Sequence, residues 1–234
     1  MRGAVPREGV REAILDATDR RLARFGYNKM TIDELAADAG IGKGTVYLHF
    51  SSKEEVVLCH VDRIVERLCV RLEQLAARDL PAGDRIKAML VERVVFRLQS
   101  VQHYTEALND VAAAIRPGLI ARRARHFELE GEIVARVLAA GRSAGELHVP
   151  RPSETARALL EATNALLPYS LSPQELGDPS NVQRRASAVA DLLVRGLRNL
   201  PAGTRVNAAA GSTWSRDRSP ARTPHPPLSR RHGP

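Results

Sequence analysis

A chain of 234 residues with 44% apolar residues can fill one large core or two small ones. Its 4% aromatic content, set in a background of Ala, Leu, Val and Arg, favours helices. No apolar run approaches the roughly 18 residues of a spanning helix, and "MRGAVPREGVREAI" lacks the hydrophobic region of a signal peptide. The expectation is a soluble cytoplasmic protein with no membrane partner.

The formal net charge of +8 invites a nucleic-acid partner, but its distribution weakens that reading. Residues 1–53 carry 9 Lys/Arg against 7 Asp/Glu, residues 54–200 carry 20 against 19, and residues 201–234 carry 6 against 1. Most of the excess therefore lies in the tail. Lysine is more telling, because Lys29, Lys43 and Lys53 fall in the first 53 residues and only Lys87 lies elsewhere.

In chain order, the first predicted helix runs from about Val10 to Phe25. Leu15, Thr18, Leu22 and Phe25 share a face that Val10, Ile14 and Ala17 widen, and Gly26 stops the helix. "TIDE" from Thr31 has capping-box spacing and opens a second helix with Ile32, Leu35, Ala36 and Ala39 inward. Gly40 ends it. A third, short helix covers about Lys43 to Phe50, with Val46 and Phe50 on its inner side. Ser52 and Glu55 repeat the capping spacing before a long fourth helix. Val57, Val61, Ile64, Leu68, Leu72 and Leu75 carry that helix to about Arg78.

Further helices are predicted over 83–101, 104–115, 117–143, 153–169 and 182–200. "GRSAGELHVPRPSE" and "SLSPQELGDPSN" are connectors, the latter with room for a turn of helix. Residues 201–234, rich in Pro, Arg, Ser, Ala and Gly and without apolar period, are predicted to be disordered. The expected organisation is residues 1–55 as one domain, 56–200 as a larger helical one, and 201–234 as a tail. Cys59 and Cys69 are ten apart on one predicted helix, lack metal-ligand spacing, and read as buried or idle thiols.

"GIGKGTVYLHFSSKEEV" admits two chemistries. A phosphate-binding loop needs glycine five residues before its Gly-Lys and Ser or Thr after the lysine. Ala37 and Gly44 occupy those places, and a capped amphipathic helix stands where a strand should precede. A helix-turn-helix fits each local signal: two short helices, a glycine-containing turn, and small residues where the second helix begins. That helix offers Lys43, Thr45, Tyr47, Leu48 and His49 outward, suited to phosphates and base edges. The helix N-termini at Thr31 and Lys53 can hold phosphates.

"TIDELAADAGIGKGTVYLHFSSKEEVV" resembles the DNA-binding segment of the tetracycline-repressor (TetR) family of bacterial regulators. The resemblance covers about residues 10–60, and beyond it only the helical layout matches. It implies an all-α fold: a three-helix N-terminal domain containing the helix-turn-helix, and a larger C-terminal domain that pairs two subunits through a four-helix bundle and holds a small-molecule pocket. The DNA-contact candidates are Thr31, Lys43, Gly44, Thr45, Tyr47, Leu48, His49 and Lys53. Phe96, His103, Tyr104 and Phe127 are candidates for an effector pocket, with ordinary core or surface as the alternative. Leu159, Leu160, Thr163, Leu167, Val189, Leu193 and Leu197 are candidates for the dimer interface, unless their stripes simply face the core.

The expected function is a regulator of transcription: a repressor that binds palindromic double-stranded operator DNA as a homodimer and is released by an effector. The alternatives are a ligand-independent regulator of the same fold, or a helical carrier or enzyme. No Ser/His/Asp, paired-carboxylate or Cys/His arrangement argues for catalysis, and no cofactor or metal is expected. His126 and Glu130, at i, i+4 spacing without a third ligand, read as a solvated helix pair.

Overall fold

A computed structural model describes residues 7–104 and 108–198; the predicted disorder of 201–234 lies outside the described residues. The described chain is helical apart from short connections and one isolated bridge between Leu147 and Arg198. Helix α1 spans Arg7–Lys29 and buries Ile14, Leu15, Ala17, Thr18 and Leu22. At Gly26, φ is 71°, a left-handed conformation that glycine adopts without a Cβ penalty, and the helix breaks there. Phe25, expected inward, is 40% exposed and stacks between the Arg21 and Arg24 guanidinium groups. The chain turns at Gly26, and Met30, fully buried, fills the core instead.

Helix α2 (Ile32–Asp38) opens on the predicted capping box: the Thr31 hydroxyl accepts from the Glu34 amide, and the Glu34 carboxylate accepts from the Thr31 amide at 3.0 Å. Gly40, with φ of 68°, makes the turn into α3 (Lys43–His49). Ser52 caps α4 (Lys53–Ala76). Helix α5 spans Ala82–Val101, with a short 3-10 turn at Gln102–Tyr104.

The two helices predicted over 104–115 and 117–143 are one. Helix α6 runs from Leu108 to Ser143 with Pro117 inside it. An interior proline removes one backbone hydrogen bond and costs about 3 kcal/mol. Packing on either side offsets this: Ile115 is buried, and a Cβ on Gly118 would overlap Leu58 of α4.

The helix predicted over 153–169 is shorter. Helix α7 (Pro152–Ala162) stops where Thr163 turns its hydroxyl onto the Leu159 and Leu160 carbonyls, and two 3-10 turns follow, the second beginning at Pro168. Helix α8 (Pro173–Leu176) is the turn of helix in the connector, and α9 (Pro179–Leu197) is capped by Asp178.

Two main apolar clusters result. One combines α1, α2, α3 and the start of α4 with Tyr104 and with Val111 and Ile115 of α6, so it crosses the boundary expected at residues 55 and 56. The other joins the later turns of α4 to α5, α6, α7 and α9. A third, smaller one gathers Val94, Leu98, Leu166, Leu167, Leu171, Leu176, Val182 and Ala186. Both cysteines are free, and burial pushes the Cys69 thiol up to about 11.

Candidate nucleic-acid interface and the cavity behind it

Helix α3 buries one residue, Val46, with Phe50 beneath its end. Its other side faces outward. Tyr47 is 50% exposed and Leu48 75%, an unusual amount of apolar surface on seven residues. Lys43 and Gly44 are exposed at its start, and no heavy atom lies within 4 Å of where a Gly44 Cβ would stand. Backbone can therefore be approached closely there. Thr45 and His49 are half-buried, the His49 ring tilted beside Phe50. Lys43 reaches Asp33 at 2.8 Å, with both side chains more than half exposed, so water already screens the pair.

The other two candidates are more committed. The Thr31 hydroxyl is occupied by Glu34. Lys53 donates to the Tyr27 and Met30 carbonyls at 3.1 and 3.2 Å and lies 4.2 Å from the Tyr27 ring. Arg21 ties α1 to α2 through a forked contact with Asp38.

Behind this head lies a cavity of about 270 Å³ bounded chiefly by α4, α5 and α6, with Leu22 of α1 and the turn at Pro168 and Tyr169 completing it. Of the four candidates for an effector pocket, Tyr104 and Phe127 line this cavity; Phe96 and His103 do not. Phe96 packs on the second cluster under the Arg71 guanidinium, and His103 is exposed beside Asp19. Val61 and Ile64, which the periodicity counted as core, are cavity wall.

A polar chain joins this wall to α1. His60 and Tyr104, both lining residues, meet at 2.9 Å. The Tyr104 hydroxyl donates to Asp19 of α1. Arg63, beside His60, reaches Glu12 and Asp16 of α1 at 2.9 and 2.7 Å. A second clamp joins α6 to α4. Arg122 forks onto Glu55 at 2.7 and 2.8 Å and also meets Asp62, while His126 bonds Asp62 at 2.7 Å.

His126 and Glu130 are therefore not a solvated pair. Both are buried, and Glu130 is held between Arg93 and Arg97. Among the described residues no group of three metal-ligating side chains forms.

The α1 clamp predicts an acid response. Burial by itself raises the Asp19 pKa, but hydrogen bonds from His60 and Tyr104 outweigh it and hold the carboxyl well below the ordinary range. A carboxyl depressed in the folded state contributes stability that is present above its unfolded value, near about 4. That contribution is lost as pH falls through the folded value. Folding stability should therefore drop below about pH 4, and Asp19→Asn should make that acid limb shallower. Urea titrations of both proteins across the acid range check this; equal slopes would detach Asp19 from the clamp.

The residues expected at a dimer interface separate into two groups. Leu159, Leu160, Thr163 and Leu167 are buried within their own chain and have no surface to offer a partner. Val189, Leu193 and Leu197 are half-buried along α9, and the large apolar residue exposed beside them is Leu192, at 72%.

A glycine turn joining two short helices, the second with its outward side free, braced on a larger helical body that holds a cavity, defines a helix-turn-helix protein. Residues 14–58 match the family model for bacterial regulatory proteins of the tetR family. It is 36% identical over 78 residues to an uncharacterized HTH-type transcriptional regulator of Haemophilus influenzae, a match covering 33% of this chain and 42% of that protein. The chain thus spans less than half of that relative. It is 22% identical over 190 residues to a fatty acid metabolism regulator protein of Bacillus subtilis, covering 80% of this chain and 94% of the other. The crystal structure of a TetR/AcrR-family transcriptional regulator from Thermobifida fusca is similar with a TM-score of 0.55 and 26% identity, over 81% of this chain and 98% of that one.

Proposed function

We propose that the chain is a non-catalytic transcriptional regulator that binds palindromic double-stranded operator DNA as a homodimer, and that it represses until a small-molecule effector releases it. The outward face of α3 carries this reading. Tyr47 and Leu48 stand exposed beside Lys43, on a helix whose open N-terminal turn admits close backbone approach. Tyr47, Leu48 and Thr45 are proposed to meet base edges, Leu48 against a thymine methyl. Lys43, His49 and Gly44 are proposed to meet phosphates, with Thr31 and Lys53 as lesser contacts because their polar atoms already have partners. Repeated selection from randomised duplexes should enrich a palindrome; sequences that remain random after selection would sink the reading.

The two-fold interface is proposed on the outer side of α9, around Leu192 with Val189, Leu193 and Leu197. A two-fold contact is self-complementary, so Leu192→Glu sets two like charges near the axis. The wild type should run at twice the chain mass in light scattering at micromolar concentration, and Leu192→Glu at the single mass with its helical circular dichroism retained and a melting temperature lowered by the lost pairing. A wild-type monomer would refute the pairing. Release requires the effector to prefer the conformation that does not bind DNA, since equal affinity for both shifts nothing. The polar chain from the cavity wall through Tyr104 and His60 to Asp19 favours such coupling.

A further inference from the structure

Three features of the cavity narrow what it can hold. The first is its wall, which is mostly aliphatic along α4 and α6, from Val57 to Val65 and from Val111 to Ile120. The second is its shape. Lining residues on α6 run from Val111 to Phe127, roughly 24 Å at 1.5 Å per residue, yet the volume is only about 270 Å³. At roughly 30 Å³ per water, that is space for about nine waters, or a slender molecule of about ten non-hydrogen atoms.

The third is charge. Arg97, Arg116 and Arg123 line the cavity, and among the described residues no carboxylate does. Arg97 is already bound to Glu130. The two lining histidines are held by acids outside the wall, His60 by Asp19 and His126 by Asp62. Arg116 and Arg123 enter no ion pair among the described residues; Arg123 rests against the Phe127 ring at 5.2 Å. Both are exposed, as is Ile120 between them, so this stretch of α6 forms the mouth.

We infer that the cavity binds an unbranched aliphatic carboxylate of about eight to ten carbons, with its head at Arg116 and Arg123 in the mouth and its chain inward along α4 and α6. A cationic head would meet the two guanidinium groups of the mouth, Arg116 and Arg123. A bulky polycycle would exceed a space for about ten non-hydrogen atoms. The bound chain would lie against Tyr104 and His60, the two wall residues hydrogen-bonded onward to α1. The release step rests on the regulator reading above; the binding step does not.

The test uses the full chain and three probes of matched length, octanoate, octan-1-ol and octylammonium, titrated by calorimetry without DNA. Octanoate should bind at least about tenfold more tightly than octan-1-ol, the range of a charge-assisted hydrogen bond, and octylammonium should give no binding heat. Arg116→Gln with Arg123→Gln should remove that advantage and leave octan-1-ol unchanged; both side chains are at the surface, and an unshifted melting temperature verifies the fold.

Equal binding of the three probes, no octanoate binding by folded wild type, or a double variant that binds octanoate as wild type does would each overturn the assignment. A parallel anisotropy titration on the selected duplex separates the two readings. If octanoate binds as described but leaves the bound duplex in place, the cavity assignment stands and release by this ligand falls. If the protein ignores all duplexes, the regulator reading falls while the calorimetry still decides the ligand.

Discussion

Replacing Glu130 by alanine should lower the unfolding free energy by about 3–5 kcal/mol, the range for removing one partner of a buried ion pair. Arg93 and Glu130 are both fully buried and meet at 2.6 Å. The Arg93 guanidinium also donates to the Leu160 carbonyl, Thr163 and Asn164, fastening α5 to α6, α7 and the turn after α7. Burial pulls the Arg93 pKa below its ordinary value, and the nearby Glu130 charge is the main force opposing that. Without Glu130 the guanidinium keeps its bonds to Leu160, Thr163 and Asn164 but loses its counter-charge and the hydrogen bond that came with it. The double variant Arg93→Leu, Glu130→Leu should regain a large part of the loss, because apolar replacement of a whole buried pair is often neutral. Urea denaturation measures both. A loss below about 1 kcal/mol for Glu130→Ala would mean that water reaches the pair.

Tyr47→Ala should weaken binding to the selected duplex by about tenfold to a hundredfold while changing binding to random duplex little, as expected for a residue at a base edge. Lys43→Ala should weaken binding to every duplex and reduce the salt slope by about one, the signature of one phosphate contact. Neither should unfold the protein. Tyr47 is half exposed, and the Lys43–Asp33 pair lies in water. Fluorescence anisotropy across a salt series separates the two effects. Wild-type affinity in both variants would remove α3 from the interface.

The reading head was legible because its signals are local. Thr31 with Glu34, Ser52 with Glu55, and the glycine at 40 each act over three or four residues, and the structure places each where spacing put it. What was illegible depended on distant parts of the chain. Pro117 reads as a break, and only the fit of Gly118 against Leu58 shows why α6 continues. Leu159 and Leu160 lie on a stripe as apolar as any interface, and periodicity does not say whether a stripe faces its own chain or another.

The buried charges did leave a trace. Arg93 falls in step with Ile86, Met89 and Leu90, and Glu130 in step with Phe127, Ile133, Val134 and Val137. A charge in an apolar stripe requires a partner. Two such positions on neighbouring helices could have been paired from sequence.

The first apolar cluster has a bearing on how such proteins can be recombined. Val56, Val57, Leu58, Cys59, Tyr104, Val111 and Ile115 pack with the side chains of α1, α2 and α3. A graft that exchanged only the first 55 residues for those of a relative would set a foreign inner surface on these seven side chains. A working exchange of the proposed operator specificity has either to carry them along or to alter α3 alone, whose outward residues lie outside this cluster.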